Sequence, residues 1–86
     1  MHETINERVS VVTIYSRETG KVAPVSLRWQ GRDYRIRKVG YHHQARQGRV
    51  WVHIFSVSTE AMAFKLRHHP EDLSWVLEEV SDGIAH

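Results

Sequence analysis

The stretch Pro24-Val-Ser-Leu-Arg-Trp-Gln-Gly-Arg-Asp-Tyr-Arg-Ile-Arg-Lys-Val-Gly-Tyr41 decides the fold class of this chain. Val25, Leu27 and Trp29 alternate with Ser26 and Arg28, and beyond Gln30-Gly31 the residues Tyr34 and Ile36 alternate with Arg35 and Arg37. Side chains of a β-strand point to opposite faces in turn, so this alternation describes a hairpin with an apolar face and an arginine face. Gly31 supplies the positive φ that a tight primed turn needs. The apolar phase then shifts from Tyr34 and Ile36 to Val39 and Tyr41, which predicts a bulge near Arg37-Lys38.

Working outward, the same reading extends to most of the chain. Residues 8–15, rich in β-branched side chains, form a first strand, and Glu18-Thr19-Gly20 a turn. The second strand runs over 22–30, with Pro24 placed near its start or on an edge because it cannot donate to a ladder. The third covers 33–41, and 42–48 (His-His-Gln-Ala-Arg-Gln-Gly) reads as a polar loop. Residues 49–58 carry the strongest strand signal, with Val50, Val52 and Ile54 on one face and Trp51, Phe55 and Val57 on the other. A strand apolar on both faces is covered on both, by its own sheet or by a partner. Met62, Phe64 and Leu66 alternate over the next strand, and Pro70 breaks it. Beyond Pro70, Leu73, Val76, Leu77 and Val80 fit a helix by spacing, while Trp75, Leu77 and Glu79 fit a strand. Strands joined by short links imply a mainly β fold: an antiparallel meander of five or six strands curling into a small barrel or half-barrel, with a short C-terminal helix as the alternative ending.

The 86 residues are expected to make one small domain, 1–86, with an ordered core over about 8–80. There is no cysteine, so neither disulfides nor thiolate metal sites contribute. No apolar run reaches the roughly 20 residues of a membrane-spanning helix, and the N-terminus lacks the pattern of a signal peptide. These features lead to an expectation of a cytoplasmic protein with no membrane contact.

The run from Pro24 to Ile36 resembles the aromatic/Leu-x-Trp-x-Gly-Arg-x-Tyr-x-Ile/Val signature of a family of small uncharacterised bacterial proteins, a domain of unknown function. Phe55-Ser-Val-Ser, Phe64-x-Leu66 and Trp75-x-Leu77 are similar to the rest of that pattern, so the likeness spans residues 10 to 80. It implies a compact β-rich domain and favours a strand over Trp75 to Val80. It implies no activity. Its motif residues look structural, and the histidines of this chain are not part of it.

Charge is unevenly distributed. Residues 28–49 hold seven Lys and Arg against Asp33 alone, a net +6, whereas residues 68–86 hold five carboxylates and no Lys or Arg, a net −5. Arg28, Arg35 and Arg37, with Lys38, Arg46 and Arg49, are candidates for a surface that tracks the phosphates of a single-stranded nucleic acid or RNA. Such a reading depends on where the acidic C-terminal segment lies. The preferred expectation is a non-catalytic interaction module, a homodimer or a binder of another protein, with Trp51, Phe55 and Val57 as interface candidates because a small meander has little material to cover both faces of residues 49–58.

The seven histidines read as polar surface residues, and neither metal nor cofactor is expected. Neighbours on a strand point apart, so His42-His43 and His68-His69 cannot chelate as pairs. A site combining His53 with one loop histidine is the residual option, as is a small ligand in a barrel mouth. Catalysis has no constellation behind it: His53 faces away from Ser56 on an extended strand, and Glu78 and Glu79 diverge on one.

Overall fold

In the computed structural model, which describes residues 2–82, every regular element is a strand. They are β1 (His2–Ser16), β2 (Lys21–Trp29), β3 (Arg32–Arg35), β4 (Lys38–Gln47), β5 (Val50–Ser58), β6 (Ala63–His69) and β7 (Ser74–Ser81). All neighbours are antiparallel, in one sheet of order β3-β2-β1-β7-β6-β5-β4. Among the described residues there is no helix, and so none long and apolar enough to cross a membrane. The C-terminal ambiguity resolves as strand because β7 pairs on both sides, with β1 and with β6.

The sheet is strongly curled. A single flat layer is about 10 Å thick, whereas the shortest extent of the molecule is 28 Å against 32 and 31 Å for the others. Curling brings the two sheet edges, β3 and β4, together at one end. There the chain steps from one edge to the other through Ile36 and Arg37: the Ile36 amide donates to the Val25 carbonyl of β2 (2.9 Å), and the Arg37 amide to the Ser58 carbonyl of β5 (2.8 Å). The phase change expected near Arg37-Lys38 is therefore a break between two strands, which gives seven strands where five or six are expected. The curl stops short of a closed barrel, since β4 forms no ladder with β3 or β2.

The inner face carries one apolar core: Leu27 and Trp29 of β2, Phe55 and Val57 of β5, Phe64 and Leu66 of β6, and Trp75, Leu77 and Val80 of β7, with Ile5, Val9, Val11, Tyr34, Ile36 and Met62 packed against it. Four of the five residues of the hairpin's predicted apolar face join it. Val25 does not, because it is the extra residue of a bulge where Val12↔Ser26 gives way to Thr13↔Pro24. That bulge is also how the fully buried Pro24 is tolerated, at a position of β2 paired only with β1, before the β3 ladder begins at Ser26. Gln30 and Gly31, at φ 53° and 74°, form the two-residue turn with the positive φ at both positions that a primed type I turn requires. β5 is buried on both faces, Phe55 and Val57 within the core and Val52 and Ile54 on the outer side.

Two segments depart from expectation. β1 begins at His2, before residue 8, because its first half pairs with β7 through His2↔Ser81 to Val9↔Trp75. Residues 42–48 are mostly strand rather than loop: β4 continues to Gln47 and turns at Gly48-Arg49, with Gly48 at φ 63°. Their polar composition reflects an edge strand with little to bury, which is hard to distinguish from a loop in sequence.

Candidate functional site

The register places three features at one end of the sheet. The β6–β7 hairpin is short and turns at residues 70–73. β1 loses β7 as a neighbour after Val9↔Trp75 and continues with β2 alone to Ser16. β5 pairs with β6 only as far as His53↔His68, and the β4–β5 hairpin projects beyond it. Two long hairpin arms thus rise on either side of a short central one.

Between the arms lies a cavity of about 640 Å³. One arm contributes Val11 and Thr13 of β1 and Gly20, Lys21 and Val22 around its tip. The other contributes His42 of β4 with His53 and Phe55 of β5. The central hairpin supplies His68, Pro70, Leu73 and Trp75. The sheet's missing seam opens here, with Lys21 and His42 on strands that the curl brings near each other but does not pair.

The wall on the β4–β6 side is built of stacked rings. His42 lies on Phe55 at 4.2 Å between centroids and 2° between planes, as its ladder position opposite Phe55 dictates. Phe55 meets Trp75 at 5.4 Å, and Trp75 stacks on His68 at 4.3 Å. His42 Nε2 and His53 Nδ1 share a hydrogen bond of 2.9 Å. His68 Nδ1 is 3.2 Å from the Ser74 carbonyl and donates to it as the Nδ1–H tautomer.

Partial burial holds the His42 imidazole below its ordinary range, helped by repulsion from His53, then Lys21 and His43. His68 is lowered too, again first by burial. The Ser74 carbonyl and Asp72 oppose that shift, and His53 and His69 add to it. Lowered histidines stay neutral near pH 7 and keep both roles, donor and acceptor. Among the described residues no group of three or more His, Cys, Asp or Glu has metal-holding geometry.

The expectation that His42 and His68 are loop residues is corrected to strand, with His42 still exposed and His68 half-buried. His42, His53 and His68 lie on three strands and face one cavity, because each occupies an inward ladder position. His43, one residue on from His42, faces outward beside Tyr41. Once 38–47 is a strand with its turn at Gly48-Arg49, the ladder sets His42 opposite Phe55 on the face of His53, but the polar composition of 42–48 hides that strand in the sequence.

The basic candidates are distributed over the β2–β3 hairpin, the step from β3 to β4 and the tip of the β4–β5 arm. Arg28 pairs with Asp33 (3.3 Å) and Arg37 with Glu60 (3.4 Å). Arg35 shares the outer face of the β2–β3 hairpin with Arg28. Lys38 opens β4, whereas Arg46, its guanidinium 5.4 Å from the Trp51 ring centre, and Arg49 sit at the arm tip. Eight residues of strand at about 3.3 Å each separate Lys38 from Arg46. Three acids of the C-terminal segment pair away from the arginine face. Glu78 binds Arg67 and Lys65, Glu79 binds Lys65 and His2, and Asp72 lies 4.0 Å from Arg8.

Glu78 and Glu79 do not diverge as expected. Lys65 pairs with Glu79 and Leu66 with Leu77, so Glu78 is the extra residue of a bulge, and both carboxylates reach Lys65 at 3.9 Å. Of the interface candidates, Phe55 and Val57 are buried in the chain's own core, and Trp51 alone, 52% exposed, offers area to a partner.

Comparison with protein-family models, with curated proteins and with solved structures returns no match. The site therefore rests on its own geometry.

Proposed function

We propose that this protein is a non-catalytic binding module that takes a small, largely apolar ligand in the cavity between its hairpin arms. The observation that carries the reading is the cavity itself. Its 640 Å³ lies within the range of about 300–1,000 Å³ typical of small-molecule sites. Apolar walls with a few convergent polar groups are the usual composition of such sites. Leu73 supports it. This residue is 72% exposed at the cavity rim and holds φ 64°, a conformation unfavourable for a branched apolar side chain. Two unfavourable features coincide at one rim position, as expected where a side chain is placed to meet a ligand.

The test is a two-dimensional amide NMR titration with 2-naphthalenemethanol and 2-naphthoate. Binding in the cavity shifts Val11, Phe55, His68 and Trp75 together. Absence of shifts at these four with both compounds overturns the reading.

A second reading, self-association, is favoured by one observation. Val12 and Ile14 are exposed on the part of β1 that has lost β7 as a neighbour, beside exposed Tyr15. An unpaired strand edge with apolar side chains is a template for pairing with a second copy. Sedimentation velocity at high micromolar concentration checks it: a dimer that Ile14→Lys dissociates supports it, and a monomer for the unaltered chain overturns it.

A further inference from the structure

The ionisable groups lining the cavity are all of one kind. Lys21 enters from β2, His42 from β4, His53 from β5 and His68 from β6, and among the described residues no carboxylate lines it. β1 adds only Val11 and Thr13. Asp72 of the β6–β7 turn acts on His68 from outside the lining, and is itself held by Ser74 and near Arg8. An apolar chamber whose only charge is cationic selects against cations and favours an anion with an apolar body.

We propose that the cavity takes a small carboxylate with an apolar, ring-sized body, and that the His42–His53 pair receives the carboxylate and takes up one proton as it binds. This rests on the reading of the cavity as a ligand site. The apolar body lies against Val11, Val22, Phe55 and Trp75. The carboxylate sits at the rim beside Lys21, where water still reaches it.

The proton step balances simply. In the empty protein one imidazole of the pair donates to the other across 2.9 Å. A proton from solvent adds to the free nitrogen lone pair, no other bond changes, and the ligand stays a carboxylate. A singly protonated pair keeps its internal hydrogen bond and gains an N–H for the ligand, whereas a doubly protonated pair loses its internal acceptor. Burial and neighbouring positive charge disfavour the charged imidazole when the cavity is empty. A bound carboxylate reverses that balance, because an opposite charge at close range favours the charged form.

The experiment is isothermal titration with 2-naphthoate and with its neutral isostere 2-naphthalenemethanol, at pH 6, 7 and 8 with EDTA present so that no metal bridges the ligand. The acid remains ionised throughout this range. The naphthoate binds about ten-fold or more tighter than the alcohol at pH 6, as a charge-assisted hydrogen bond provides, and the advantage shrinks toward pH 8. At pH 7 the heats in phosphate and Tris differ by the ionisation heat of the buffer, showing proton uptake. His42→Gln and, separately, His53→Gln abolish the uptake and the pH dependence while alcohol binding persists. Equal affinity for the two compounds at pH 6, or a preference for naphthoate that does not vary with pH, overturns the inference and leaves the cavity reading standing. Failure of both compounds to bind overturns the cavity reading itself.

Discussion

His42 Nε2 lies 2.9 Å from His53 Nδ1, across a cavity wall where the rings of Phe55 and Trp75 continue the stack. One imidazole donates and the other accepts, which both can do while neutral. Sequence separates the two by a turn and eleven positions. A two-strand ladder joins them.

His42 and His68 make the fold sensitive to acid. The folded pKa values of His42 and His68 lie below the ordinary value of 6.5. The unfolded chain then binds more protons than the folded one as pH falls through that region. Stability is fully present above about pH 6.5 and declines as pH falls from there toward the lowered folded values. Urea midpoints measured between pH 8 and pH 5 should fall over that interval, and His42→Gln with His68→Gln should flatten the fall.

Leu73 closes the β6–β7 turn with its amide donating to the His69 carbonyl at 2.7 Å, at φ 64°. A non-glycine residue there costs about 1 kcal/mol. Leu73→Asn, a residue that tolerates this conformation, should stabilise the fold by up to about 1 kcal/mol. Thermal denaturation checks it, and the same variant should bind 2-naphthoate more weakly, because it removes an apolar rim group.

Trp29 packs on Tyr34 and Phe64 at 6.4 and 6.1 Å, and its indole nitrogen is buried without a partner. Trp29→Ala should cost about 3–5 kcal/mol by cavity formation. Trp29→Phe should cost much less, since it keeps a ring in the cluster and removes an unsatisfied donor. Denaturant unfolding of the two variants separates these terms.

On the outer face, Arg67 bonds Glu78 and its Nε donates to His69 Nε2 at 3.0 Å. Both partners of the ion pair are about four-fifths buried, at 20% and 18% exposure. The pair lies between surface bridges, worth about 0–1 kcal/mol, and buried ones, whose disruption costs about 3–5. Glu78→Gln should therefore cost about 1–2 kcal/mol, and Glu79→Gln, at a more exposed pair, less than about 1. Urea unfolding at low and high salt gives both values, the Glu79 effect being the more readily screened.

Local pattern determined a good deal of this protein. The alternation of Leu27, Trp29, Tyr34 and Ile36, the Gln30-Gly31 turn, and the two apolar faces of β5 were all legible, because strand periodicity and turn chemistry act over a few residues. Residues 42–48 were not legible as strand, because an edge strand buries little and so carries no apolar alternation. The bulge that turns Glu78 and Glu79 to one side also left no mark, since an extra residue in a ladder exists only relative to the strand opposite. What the tertiary structure alone decided is the site. His42, His53 and His68 come to face one cavity only when β4, β5 and β6 pair in one register and the sheet curls to bring Lys21 toward them. Register and curl are set by the packing of the whole inner face, and no segment read by itself contains them.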